Sequence, residues 1–205
     1  MGFGTDEQLL IDILKYKEKF NYDTIIETGT FDGNGSTKIF AGTGKPVHTI
    51  ESCLNHLNAA RANLINFTNV TFHFGSSLNR EEMKKFIKED DIYKSSLVTE
   101  SKIGVDTHSP QEFYLKEVDG FYAGVLEKED LLFPLINNTK KQLVFLDSAG
   151  GVGYLEFLKF MSLEPEKLKC KILLLDDVGH VKHYRSVMWL KQNNKNVQIS
   201  RYWKM

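Results

Sequence analysis

Apolar and polar positions alternate along this chain with two periods, and each period predicts a kind of element. Leu9, Leu10, Ile13, Leu14 and Phe20 recur at helical spacing with charges between them, which predicts a helix over Asp6 to Phe20. Short apolar or alternating runs predict strands at Thr24 to Glu27, Val47 to Ile50, Val70 to Phe74, Gln142 to Leu146 and Lys171 to Leu175. Ile172 to Leu175 is apolar without a break, as a parallel strand buried on both faces would be. Helical patterns lie between them: one opening at Ser36 and Thr37, then Ser52 to Phe67, Arg80 to Lys88 with Asn79 as its cap, Lys128 to Asn137, Tyr154 to Met161 and His180 to Lys191. A last strand is expected at Val197 to Trp203.

Strands alternating with helices predict an α/β fold, a doubly wound, mostly parallel sheet with helices on both faces. No repeat or linker interrupts the 205 residues, so one domain is expected. Between residues 91 and 124 the periodicity breaks, over a stretch too long for an ordinary connection. Its aromatics, Phe113, Tyr114, Phe121 and Tyr122, argue against disorder. The segment reads as an insertion covering a substrate, or alternatively as an extension packed elsewhere.

Composition narrows the classes. A formal net charge of -1 and the lack of a basic stripe argue against nucleic acid and anionic membrane as partners. No long apolar run and no signal-like N-terminus are present, so a cytoplasmic protein is expected. The two cysteines, Cys53 and Cys170, have no metal or redox spacing and read as buried thiols.

Candidate chemistry concentrates after the first strand, in I-I-E-T-G-T-F-D-G-N-G-S-T from Ile25 to Thr37. Glycines here let the backbone turn and a ligand approach, and the turn delivers the chain to a helix N-terminus. The dinucleotide fingerprint fits poorly, because Lys38 stands where its third glycine belongs. Counting from the acid gives E-x-G-x-x-x-G-x-G, complete at Glu27, Gly29, Gly33 and Gly35. That pattern resembles motif I of the class I methyltransferases that use S-adenosylmethionine. The alternative is a glycine-rich turn with no ligand. Glu51, at the end of the second strand, can accept hydrogen bonds from both ribose hydroxyls, or stand with Ser52 in an ordinary helix-capping turn.

The resemblance extends to the later strand ends. F-L-D at Asp147 and L-L-L-D-D-V around Asp176 and Asp177 resemble metal-dependent small-molecule O-methyltransferases, the catechol type included. It implies a Rossmann-like methyltransferase fold. It also implies S-adenosyl-L-methionine held by Glu27, Gly29, Thr30, Gly33, Gly35, Glu51, Ser52, Ser76 and Asp147, and, as one of two readings of the later acids, Mg2+ held by Asp147, Asp176 and Asp177. Such an ion would acidify a bound hydroxyl. Otherwise Asp147 only positions substrate, and Asp176 and Asp177 serve the following helix.

Two departures stand out. The lysine base three residues past the strand-four acid is replaced by Gly150, which leaves Asp147 and His180, and further His183 and His108, as candidates for proton transfer. Ser76 and Ser77 stand where an adenine-binding acid is common. The expected activity is methyl transfer to a hydroxyl of a small molecule or sugar. A nicotinamide-dependent oxidoreductase and a non-catalytic protein of the same fold are the alternatives. Only one strand is visible after the fifth, so a sheet edge covered in a homodimer is expected.

Overall fold

A computed structural model describes residues 21–94, 103, 109–121 and 128–193. Five strands form one sheet: β1 (Thr24–Thr28), β2 (Val47–Glu51), β3 (Val70–Phe74), β4 (Gln142–Leu146) and β5 (Lys171–Leu175). Their order is β3-β2-β1-β4-β5 and every pairing is parallel. Helices α1 (Ser36–Gly42), α2 (Leu54–Asn63), α3 (Arg80–Glu89), α4 (Asp91–Lys94), α5 (Pro110–Phe121), α6 (Leu132–Ile136), α7 (Gly153–Met161), α8 (Pro165–Leu168) and α9 (Tyr184–Asn193) surround it. The fold is a doubly wound, Rossmann-like α/β domain, as the alternating pattern predicts.

Successive strand side chains point to opposite faces. Ile26, Ile50, Val144 and Leu146 therefore share one core with Leu132 and Ile136 of α6 and with Phe157 and Phe160 of α7. Ile25, Val47, Leu143 and Phe145 make the opposite core with Phe40 of α1. Central strands β1 and β4 are buried on both faces; β4 is apolar after Gln142, whereas β1 buries Thr24, Glu27 and Thr28 beside Ile25 and Ile26. β5 differs from the expectation: each of its residues is only half-buried, because it pairs with β4 alone among the described residues.

A third core lies off the sheet. Leu78, Met83 and Ile87 pack with Tyr93, Tyr114 and Val118 against Val152, Leu155 and Val181. The stretch from 91 to 124 is thus not wholly irregular: it contributes α4 and the twelve-residue α5, whose buried Tyr114 and Val118 dock on α3. Tyr114, Val118 and Phe121 stand at helical spacing in α5, a pattern only three residues long.

Several boundaries also move. α2 starts at Leu54, with Cys53 rather than Ser52 at its N-cap and no capping side chain. α6 occupies only Leu132–Ile136, and α9 begins at Tyr184 after a tight turn over 177–183. Asn79 caps α3 as expected, its side chain accepting from the backbone N–H of Glu81 and Glu82. Cys53 and Cys170 are free thiols, half-buried rather than buried. The expected helix over Asp6 to Phe20, the strand over Val197 to Trp203, and His108 fall outside the described residues. No helix among the described residues is long and apolar enough to cross a membrane.

Candidate functional site

The strand order reverses between β1 and β4, and ligands of open parallel sheets bind at the carboxyl ends beside such a switch point. Thr28, the last residue of β1, bridges it. Its hydroxyl accepts from the Asp147 N–H at 3.0 Å and donates to Glu156 Oε2 at 3.0 Å. Gly29 follows at φ +83°, and a Cβ there would stand 2.1 Å from the Asp147 carbonyl oxygen. Only glycine lets the two strand ends approach this closely. Gly33, at φ +76°, is needed for a different reason: its Cβ would meet Leu64 and Ala60 of the α2 region.

Glu27 lies within the sheet, fully buried. Its carboxylate accepts from Ser36 (2.5 Å), Thr37 (2.7 Å) and Thr49 (2.8 Å), and Thr30 completes the cluster through the Thr49 hydroxyl. Burial pushes its pKa up to about 7, against the pull of the three hydroxyl donors. Glu27 therefore ties β1, β2 and the start of α1 into one unit, and it shapes the loop rather than presenting its own carboxylate. Gly35 is the N-cap of α1.

Glu51, at the end of β2, has a different environment. One oxygen accepts from the Phe31 N–H and the other from the Cys53 N–H, each at 2.8 Å. A carboxylate oxygen has two acceptor directions, so each keeps capacity for a ligand hydroxyl. Phe31 stands beside it, 56% exposed at φ 51°, its ring 4.4 Å from that of His56. Ser52 is half-buried next to it. Ser76 is placed less favourably for a ligand: it is buried, with its hydroxyl toward Met83 Sδ.

The third group gathers at the ends of β4 and β5. Asp147, Asp176 and Asp177 bring one carboxylate oxygen each within 4.8 Å of one another. Among them lies Lys182, absent from the sequence reading. Its ammonium donates to Asp147 Oδ1 at 2.5 Å and Asp177 Oδ2 at 3.5 Å, and its side chain is only 5% exposed. Burial disfavours the ammonium, but Asp147, Asp176 and Asp177 outweigh it and hold Lys182 above the ordinary lysine pKa. Burial likewise lifts Asp147 above the ordinary carboxylate range, opposed by Lys182 and reinforced by Asp176. Lys182 is not legible as a site residue in the sequence, because the resemblance puts a lysine three residues past Asp147 whereas this chain brings one from the turn before α9. The available signal was a lysine between two histidines, just beyond the acidic pair that ends β5.

The histidines separate in role. His183 is fully buried and lies 3.1 Å from the Leu146 carbonyl through Nε2, which therefore carries the proton and donates. Its Nδ1 then accepts from the Ser186 hydroxyl at 3.2 Å. Burial drops its pKa to about 3, so His183 is a neutral strut between α9 and β4 and not the base considered from sequence. His180 is half-buried at the rim, where Nδ1 accepts from the Lys182 N–H and Nε2 lies 3.5 Å from the Tyr114 hydroxyl of α5. Tyr93 donates to the Gly151 carbonyl at 3.2 Å, so α4 and α5 both rest on the loops that carry the acids.

No protein-family model and no curated protein matches this chain.

Proposed function

We propose that the chain binds S-adenosylmethionine across the carboxyl ends of β1 and β2 and transfers its methyl group to a hydroxyl of a small molecule or sugar. The supporting observation is the Glu51 carboxylate, fixed by two backbone N–H groups yet retaining acceptor capacity on both oxygens. A vicinal diol such as a ribose matches that pair of acceptors. The glycines serve the reading indirectly: Gly29 brings the β1 loop against the Asp147 backbone, Gly33 lets it pass close to Ala60 and Leu64, and Glu27 ties it to the start of α1.

Bound there, S-adenosylmethionine would supply an electrophilic methyl group. The chain's part is to align the acceptor and move one proton. Asp147 lies at the switch point and takes up the hydroxyl proton, while Asp176 and Asp177 accept hydrogen bonds from further acceptor hydroxyls. Tyr114 and His180 close the side nearest α5.

Isothermal titration calorimetry with S-adenosylmethionine, S-adenosylhomocysteine and NAD tests the reading. Heat with the two adenosyl-sulfur compounds, reduced about tenfold or more in affinity by Glu51→Gln, is expected from the loss of a charged acceptor. Heat with NAD alone would reverse the ranking in favour of an oxidoreductase.

A further inference from the structure

Three carboxylates at the ends of two adjacent parallel strands have the spacing of a divalent-cation site. A positive charge among them offsets their repulsion. The chain provides one. Lys182 Nζ is 2.5 Å from Asp147 and 3.5 Å from Asp177, at the position from which a cation would contact both. We propose that Lys182 is the resident cation of this cluster, so that the site works without magnesium or any other divalent metal.

Two features show that the lysine is built in rather than folded over an open metal site. The first is enclosure: Lys182 is 4% exposed, although its residue type is almost never fully buried unless paired. The second is the room made for its stem. Gly153, at the start of α7, would place a Cβ 2.5 Å from Lys182 Cγ and 3.1 Å from the His183 ring. The neighbouring His183 is pinned to the Leu146 carbonyl and Ser186, which fixes the turn that carries the lysine. A divalent ion would have to eject an ammonium that lies under α7 and is held by two carboxylates. The carboxylate spacing suits a metal, but the space and the charge do not.

The ammonium also differs from a metal in what it offers an acceptor. It has three N–H donors, and Asp147 and Asp177 take two. The third can donate to an acceptor oxygen, positioning it beside Asp147. That role deepens the methyl-transfer reading and rests on it; the metal-exclusion claim does not.

The test uses Mn2+ as probe, followed by electron paramagnetic resonance, and thermal unfolding with and without Mg2+. For the wild-type protein we expect the free-Mn2+ signal to be undiminished at millimolar ion and the melting temperature to be unmoved by Mg2+. Lys182→Met removes the charge and keeps most of the stem. It should bind Mn2+ and melt higher when the ion is present, as ligation to the native state requires. Lys182→Arg, which keeps a cation, should bind none.

Specific Mn2+ binding by the wild type that is lost in Asp147→Asn would overturn the proposal, and this arm stands even if Lys182→Met folds poorly. So would a folded Lys182→Met that ignores Mn2+. Neither readout involves a methyl donor, so failure here leaves adenosyl binding intact, and failure of adenosyl binding leaves the metal result unchanged.

Discussion

At the scale of single residues, two buried titratable groups pull the stability of this protein in opposite directions as pH changes. Glu27 has its folded pKa raised by burial from 4.5 to about 7. Its protonated form therefore favours the folded state in full below pH 4.5, and that contribution is lost as pH rises through about 7. The shift corresponds to about 3 kcal/mol. His183 is depressed by burial from 6.5 to about 3, so its contribution is present above 6.5 and lost as pH falls towards 3. Between 4.5 and 6.5 the two offset each other. Glu27→Gln removes one side of that balance. Urea unfolding should show its stability rising with pH in this window, and gaining about 3 kcal/mol on the wild type between pH 4.5 and 8. A wild type and variant that run parallel would show that Glu27 is charged throughout.

The sequence marked both residues as functional candidates, on their types and positions. It could not say that three hydroxyls from two other elements close over Glu27, or that His183 points inward to a strand carbonyl.

At the scale of elements, α3, α4 and α5 pack together beside the loops that follow β4 and β5, around a core of their own. α5 presents Tyr114 and Val118, both fully buried, to α3 and to the loop after β4. Tyr114 meets Tyr93 edge-on at 5.6 Å, and a Cβ on Gly151 would strike the Tyr114 ring. Arg185 of α9 adds a clamp, its guanidinium paired with Asp90 at 2.5 Å and lying 4.0 Å from the Tyr154 ring centre. Truncating Tyr114 to alanine removes a buried aromatic and should cost about 3–4 kcal/mol in chemical denaturation. On the methyl-transfer reading, Tyr114→Ala should also raise KM for the acceptor while adenosyl affinity is unchanged. A change in adenosyl affinity alone would assign α5 to the donor side. The sequence flagged this stretch by length and aromatics. Its helix shows in sequence only as Tyr114, Val118 and Phe121 at helical spacing, and packing on α3, Tyr93 and the residues after β4 supplies its core.

At the scale of the whole molecule, the site exists only because the chain crosses over between β1 and β4. Residues 27, 51, 147 and 176 are far apart in sequence, and the order β3-β2-β1-β4-β5 sets their strand ends side by side. Gly29 is the closest point of that convergence. Gly29→Ala puts a Cβ into the Asp147 carbonyl and forces a left-handed backbone on an L-residue. A loss of about 3 kcal/mol is expected from the two effects together, with adenosyl affinity reduced and the far-ultraviolet circular dichroism unchanged. Undiminished binding in that variant would separate the β1 loop from the ligand site.

The chain's sequence by itself determined the α/β class, because short β-rich segments recur between longer helical patterns along its whole length. It also placed Glu51, Asp147 and Asp176 at strand ends, since each directly follows an apolar residue that closes its run. Tertiary structure alone decided what those acids do. Burial and hydroxyl donors turned Glu27 inward, backbone N–H groups oriented Glu51, and the turn before α9 carried Lys182 into the carboxylate cluster. Local pattern reports which face a residue prefers. The neighbour that neutralises a buried charge comes from a distant part of the chain, and only the packed fold brings it there.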